Sequence, residues 1–212
     1  MNLAVQRRAA DDLPGGGAVH MTATPAAKLG LWLFMGVVTV LFSLLSSAYL
    51  MRMAFADWRS LPAVPWQLWL STTMLVMSSV AFQGAAIAAR RGFKGGLQIG
   101  LLAAGIFALA FLAAQLWAWQ QLSALNYLVA GNPANSFFYL ITGLHGLHLV
   151  GGLAAWCKTS VKVWRGAALE RVRLSVELCA LYWHFLLALW LALFGLLFFV
   201  TPEIIQIICN GF

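Results

Sequence analysis

Long uncharged stretches alternate with short charged segments along the chain. Residues 29–51 and 65–89 each lack Asp, Glu, Lys and Arg, and a third such stretch covers residues 95–157. A membrane-spanning helix needs about 20 mainly apolar residues, so the first two stretches each predict one helix and the third predicts two. The turn-forming run Gly131-Asn132-Pro133 divides the third stretch between its two helices.

A fifth apolar stretch follows the basic segment after Lys158 and ends at Pro202. The predicted fold is therefore all-α, a polytopic membrane protein with five transmembrane helices in a membrane domain of residues 27–212. The fourth helix either ends near Cys157 or continues through the amphipathic run that ends at Arg165. The predicted helices cover about 29–51, 65–89, 96–120, 135–157 and 175–201.

Residues 1–26 differ in composition from the rest of the chain. Arg7 and Arg8 are followed by two aspartates, Pro14 and three glycines, so this segment has too little apolar surface to fold on its own. We expect a flexible cytoplasmic tail. A cleavable signal sequence is not expected, because acids, proline and glycine stand where its apolar core should be.

Composition agrees with a membrane protein, since 62% of the residues are hydrophobic and 9% are charged. The net charge of +7 comes from short basic clusters between the apolar stretches, which is typical of membrane topology signals and not of nucleic-acid binding. No nucleic-acid partner is expected. The three cysteines show no C-x-x-C spacing and are expected to be free thiols. Most basic residues lie on one side, which predicts an N-terminus inside and a C-terminus outside: Arg7, Arg8, Lys28, Arg90, Arg91, Lys94, Lys158, Lys162, Arg165, Arg171 and Arg173.

Histidines inside predicted membrane helices are candidate functional residues. His145 and His148 lie three apart on one face of the fourth helix, and His184 lies in the fifth. One interpretation is a metal or haem site, since imidazole is a common ligand of both. We favour the other, in which these histidines form interhelical hydrogen bonds between helices four and five, because two histidines on one face cannot be opposite axial ligands of one haem.

Glu177 lies seven residues before His184 and therefore on the same side of the fifth helix. Its interpretation as a carboxylate paired with a nearby arginine is favoured over a proton relay, because it lies close to the basic segment. No carboxylate falls in the middle of a predicted helix, which disfavours an ion-coupled transporter. Lipid head groups are a hypothesis for the cluster Arg90, Arg91 and Lys94.

Two motifs resemble the signature of subunit III of haem-copper terminal oxidases. One is Y-L-I-T-G-L-H-G-L-H-L-V-G-G, residues 139–152, and the other is E-L-C-A-L-Y-W-H-F, residues 177–185, followed by Trp190. A weaker match is K-L-G-L-W-L-F, residues 28–34. The resemblance implies the five-helix bacterial form, and it implies the same orientation as the charge distribution does.

The resemblance implies a non-catalytic subunit III of a cytochrome c oxidase in a bacterial inner membrane. Its expected partners are oxidase subunit I as the main contact, subunit II and membrane lipids. No cofactor is expected in this chain apart from bound phospholipid, since haem and copper belong to the partner subunits in that family. The enzyme's reaction, reduction of oxygen to water coupled to proton translocation, would likewise belong to those subunits.

Three positions depart from the pattern that the resemblance implies. Carboxylates expected in the first, third and fifth helices are replaced by Val38, Ala118 and Leu187. These departures argue against direct proton handling and favour one alternative, a subunit III-like accessory protein of a quinol oxidase or nitric oxide reductase. A separate alternative is a free-standing haem- or quinone-binding membrane protein.

Overall fold

Five long helices make up the described part of the chain. The computed structural model describes residues 23–53, 55, 58, 66–127 and 132–200. The helices are α1 (Ala23–Arg52), α2 (Trp66–Arg90), α3 (Lys94–Ala124), α4 (Pro133–Trp164) and α5 (Leu169–Phe199). Each is long and apolar enough to cross a membrane, which confirms the predicted all-α polytopic fold. Of the predicted tail of residues 1–26, residues 23–26 belong to α1, and the part before residue 23 lies outside the described residues. The predicted helix end at Pro202 and Cys209 also lie outside them, whereas Cys157 and Cys179 are free thiols.

Two short turns with defined backbone geometry connect α2 to α3 and α4 to α5. Gly92, between α2 and α3, has a φ of 75°, and Gly166, between α4 and α5, has a φ of 76°. Glycine adopts this left-handed conformation without steric cost, so both connections reverse the chain in a few residues. At the start of α4 the Asn132 side chain accepts a hydrogen bond from the Ala134 N–H, and Pro133 is the first helical residue.

The helices extend beyond the uncharged stretches that predicted them. The fourth helix continues to Trp164, so the longer of its two predicted forms is the observed one. Thr159, Ser160 and Val163 are buried while Lys158 and Lys162 are exposed. The added turns are therefore amphipathic, which gives them a packing face beyond the apolar segment.

Helices α2 to α5 contact one another in sequence around a common core, and α5 also returns to α2. The closest approach is between α2 and α3, where a Cβ placed on Gly100 would lie 3.0 Å from the backbone of Ala85. Between α4 and α5, a Cβ on Gly152 would lie 2.8 Å from the Trp183 ring. Glycines thus set the spacing of both helix pairs.

Helix α1 packs on the outside of this four-helix group, against α4 and α5, and is the least buried of the five spans. Its buried face carries Met35, Val38, Phe42 and Tyr49, at intervals of three, four and seven residues. This spacing gives one apolar stripe, so α1 is attached along a single line of contact.

Candidate functional site

The most extended polar feature is a row of side chains on α2 that contacts both neighbouring helices. Toward α5, Trp190 donates its indole N–H to the Thr72 hydroxyl at 2.9 Å. Six residues before Trp190 on α5, His184 shares a hydrogen bond of 2.5 Å with the Ser79 hydroxyl through Nδ1 and one of 3.0 Å with Gln83 Oε1 through Nε2. Both imidazole nitrogens of His184 therefore have partners on α2.

An ion pair continues this row at the end of the helices. Arg90 Nε donates to Glu177 Oε1 at 2.9 Å, which links α2 to α5. Arg173, one turn before Glu177 on the same helix, donates to the same oxygen at 3.2 Å. The carboxylate thus pairs with a nearby arginine as predicted, and it also pairs with a second arginine on a different helix.

Toward α3 the row contains amides and hydroxyls. Ser78 donates to the backbone carbonyl of Ala104 at 2.8 Å. Side-chain pairs complete the contact, with Ser71 donating to Gln115 at 3.3 Å and Gln67 donating to Gln121. Buried polar groups without a partner are costly in a membrane. These pairings therefore fix the rotation of α2 about its own axis between α3 and α5.

The predicted hydrogen bonding of histidines between α4 and α5 is not what the structure has. His184 points to α2, and Glu177 does the same, since their partners lie on that helix. His148 bonds through Nδ1 to the carbonyl of Leu144 in its own helix. Polar contacts between α4 and α5 instead involve the His148 backbone carbonyl, which accepts from the Tyr182 hydroxyl at 3.1 Å, and Thr159, whose hydroxyl lies 3.7 Å from Cys179 Sγ. Helix periodicity fixes which residues share a face but not which neighbour that face meets.

His145 is completely buried among aromatic rings. Its ring centroid lies 5.2 Å from Trp190, 6.0 Å from Phe111 and 6.5 Å from Phe42. Neither of its nitrogens has a hydrogen-bond partner among the described residues. The edge-to-face geometry with Phe111 and Phe42 is favourable for aromatic rings, so His145 joins α1, α3 and α5 by packing.

The three histidines do not converge on a common point. His184 is turned toward α2, whereas His145 is enclosed by the aromatic cluster in the centre of the helices. Within residues 23–53, 55, 58, 66–127 and 132–200, no three His, Cys, Asp or Glu side chains are grouped closely enough to hold a metal ion.

Of the three residues proposed to meet lipid head groups, Arg90 is bonded to Glu177, and Arg91 and Lys94 are exposed. They lie at the tight turn between α2 and α3. A separate apolar cavity of about 470 Å³ lies between α1, α4 and α5. Phe34, Gly151, Leu178 and Tyr182 are among the residues that line it.

The profile of the family described as cytochrome c oxidase subunit III matches residues 17–201, which include all five helices. The chain belongs to the cytochrome c oxidase subunit III family. It is accordingly a multi-pass membrane protein, and the motifs in α4 and α5 that resemble this family are placed in the centre of the fold.

Curated relatives carry the same family name. Proteins named "Probable cytochrome c oxidase subunit 3" from Mycobacterium tuberculosis (strain ATCC 25618 / H37Rv), Mycobacterium leprae (strain TN) and Nocardia farcinica (strain IFM 10152) are 30%, 29% and 29% identical to this chain. Each match covers 129 residues, which is 61% of this chain and 64% of the relative. The chain thus spans slightly less than two thirds of the length of these relatives.

The three positions where the resemblance implies a replaced carboxylate are packed in the structure. Val38 is 2% exposed and Ala118 is fully buried, while Leu187 is half-buried. Val38 lies one turn from both Phe34 and Phe42, whose rings contact His148 at 6.1 and 5.6 Å. Val38 therefore lies on α1 between two rings that contact His148, and it makes this part of the buried face apolar.

Proposed function

We propose that this chain is a non-catalytic integral subunit of a haem-copper oxygen reductase, a cytochrome c oxidase of the aerobic respiratory chain in a bacterial inner membrane. The observation that carries the proposal is the family match over residues 17–201. The chain stabilises the catalytic subunit I and meets subunit II in the same complex. Haem and copper, which supply the oxygen chemistry and the coupled proton translocation, belong to those partners.

The geometry supports a scaffold role. His184, Glu177 and Thr72 are engaged in hydrogen bonds between helices, and His145 is enclosed by aromatic rings. Val38, where the resemblance implies a carboxylate, is an apolar residue on the buried face of α1. These residues hold the helices in place and do not move protons in the proposed role.

The proposed orientation puts the N-terminus in the cytoplasm and the C-terminus outside. The N-terminal end of α1 and both tight turns lie at one end of the helices, where Lys28, Arg90, Lys94 and Lys158 are found. The opposite end carries the exposed pair Trp66 and Trp117, whose rings are 5.1 Å apart. Basic residues inside and aromatic residues at the interface are the expected arrangement.

Labelling of Cys157 tests this orientation, since that thiol is exposed beside Lys158. In a Cys209→Ser variant, a membrane-impermeant maleimide should modify inside-out vesicles and leave intact cells unmodified. Labelling of intact cells alone would reverse the assignment.

A bound phospholipid is part of the proposal. The cavity between α1, α4 and α5 is apolar and large enough for part of an acyl chain, and Lys28 and Lys158 lie one turn beyond its lining residues Leu31 and Ala155. Arg91 and Lys94 provide a second cationic surface for head groups at the same membrane face.

Gly151→Leu should reduce the tightly bound lipid counted by native mass spectrometry, because Gly151 lines the cavity and nothing lies within 4 Å of a Cβ built on it. Gly30→Leu on α1 is the control, since it is equally open and lies outside the cavity lining. Equal lipid counts in the two variants would contradict the site.

Affinity capture of the tagged full-length chain from its own membranes tests the main proposal. Oxidase subunits I and II should be captured together with haem absorbance, and the dissociated chain should lack a Soret band. A Soret band or quinone retained by the isolated chain would instead support the free-standing cofactor-binding alternative.

A second candidate is an accessory protein of a quinol oxidase or nitric oxide reductase, which the replaced acids at Val38, Ala118 and Leu187 favour. Mass spectrometry of the captured partners decides between the two complexes. Capture of a nitric oxide reductase or quinol oxidase core without a cytochrome c oxidase would select this candidate.

A further inference from the structure

One outward face of the helices carries polar groups inside the membrane span. On α2 it consists of exposed residues at alternating intervals of four and three, and on α5 it continues with His184, Ala188 and Leu191. The ring contact of 5.2 Å between Trp69 and Phe194 and the hydrogen bond between Gln83 and His184 show that the α2 residues border α5. We call this surface the α2/α5 face, and its α2 residues are Trp69, Thr73, Val76, Val80, Gln83 and Ile87.

Gln83 is the unusual member of the α2/α5 face. It lies seven residues before Arg90, which places it about 10 Å from the charged end of α2 toward the membrane centre. Gln83 Oε1 accepts from His184 Nε2, so the imidazole fixes one end of the amide. No hydrogen bond reaches the Nε2 end of this exposed amide from the described residues.

Three other exposed hydroxyls in the spans are satisfied within their own helix. Thr39 donates to the carbonyl of Met35 at 2.8 Å, Ser47 to that of Ser43 at 2.9 Å, and Thr73 to that of Trp69 at 3.0 Å. Such side chains can face lipid because they present no free donor. The Gln83 amide presents two N–H donors to its surroundings, and hydrocarbon offers no acceptor for them.

We propose that the α2/α5 face docks a transmembrane helix of another subunit of the same oxidase, and that this helix places a hydrogen-bond acceptor opposite the Gln83 Nε2 amide. Gly84 and Ala188 flank Gln83 and His184, and a Cβ on Gly84 would meet nothing within 4 Å, so a second helix can approach closely there. The hydrocarbon part of a lipid carries no hydrogen-bond acceptor. The inference rests on the proposed function, because it assigns the partner contact of that accessory subunit to one surface.

Photocrosslinking in native membranes locates the partner. A photoreactive residue at Val80 or Ile87 should link the chain to another oxidase subunit, whereas one at Ile106, an exposed position of α3, should link to lipid. The inference is overturned if Val80 and Ile87 link only to lipid. It is equally overturned if Ile106 yields the partner link and the α2/α5 face does not.

A substitution pair measures the hydrogen bond itself. Gln83→Leu should lower the amount of partner retained on the tagged chain in mild detergent by about threefold or more, the effect of one interhelical hydrogen bond. Gln98→Leu, at an exposed position near the start of α3, should retain the partner at the wild-type amount. Wild-type retention by Gln83→Leu would overturn the assigned contact.

The outcomes separate this inference from the proposal on which it rests. If the tagged wild-type chain captures no oxidase subunit, both fail. If the wild-type chain captures the oxidase but the crosslinks come from α1 or α3, the accessory role stands and only the α2/α5 face is refuted.

Discussion

The contact between Gly105 and Trp156 is the most sensitive point in the packing of α3 against α4. The Trp156 ring lies directly over Gly105, and its indole N–H donates to the carbonyl of Leu101 at 2.8 Å. A Cβ added at Gly105 would fall 2.5 Å from Trp156 Cη2 and 2.6 Å from Cε2, nearer than non-bonded carbon atoms approach. Gly105→Ala therefore forces the ring to move.

The expected cost follows from three contributions. Overpacking of this kind costs about 1 to 3 kcal/mol. Displacement of the Trp156 ring also breaks its hydrogen bond to Leu101, which contributes about 1 kcal/mol. Alanine gains about 1 kcal/mol over glycine inside a helix. The net destabilisation of Gly105→Ala should be about 2 kcal/mol in the free energy of unfolding.

Unfolding by SDS in detergent micelles measures this cost through alkylation of the buried Cys179 thiol, in a background with Cys157→Ser and Cys209→Ser. Gly151→Ala is the matched control. Nothing lies within 4 Å of a Cβ at that position, so the control should be neutral or slightly stabilised. Adding Trp156→Phe should lessen the effect of Gly105→Ala. The reasoning is refuted if Gly105→Ala unfolds at the wild-type SDS concentration, or if the smaller ring gives no relief.

Two further substitutions test the row of polar contacts on α2. Trp190→Phe should destabilise the chain by about 1 to 2 kcal/mol in the same SDS titration, because it removes the hydrogen bond to Thr72 from a buried position. As a control, Trp117→Phe at an exposed position should change the free energy of unfolding by less than about 0.5 kcal/mol. Arg90→Gln should cost about 0.2 to 1 kcal/mol, and high salt should remove the difference, because the Arg90 side chain is 57% exposed. Arg91→Gln serves as its control, and equal losses in the two arginine variants would argue against the ion pair with Glu177.

The number and type of helices follow from the sequence because uncharged stretches of membrane length have few alternatives. The ends of the helices are harder to predict. Lys158 and Lys162 mark the limit of the apolar segment, yet α4 continues to Trp164 because Thr159, Ser160 and Val163 still have a surface to pack against. Charge marks the edge of the hydrocarbon layer, whereas the backbone hydrogen bonds of a helix continue in water.

To predict the partners of the polar residues, one must know how each helix is rotated about its axis. The sequence of a single helix does not specify this rotation. The motif of α4 contains His145 and His148, but the hydroxyls and amides of α2 form the larger share of the interhelical bonds among the described residues. Ser and Thr are common in membrane helices and often bond only to their own backbone, as Thr73 does. Their types alone therefore do not distinguish Ser79, which bonds to another helix.

Matched spacing between α2 and α5 is the sequence signal for this pairing. Arg90 lies seven residues after Gln83, and Glu177 lies seven residues before His184. The chain reverses direction three times between α2 and α5, so these two helices are antiparallel. Two residues seven apart on α2 can therefore pair with two residues seven apart on α5, in the opposite order along the chain. The observed bonds from Arg90 to Glu177 and from His184 to Gln83 satisfy this relation. Both pairs need the same rotation of α2 about its axis. The ion pair at the membrane surface therefore also sets the direction of the Gln83 amide inside the membrane. It thereby sets the face that a partner helix can recognise.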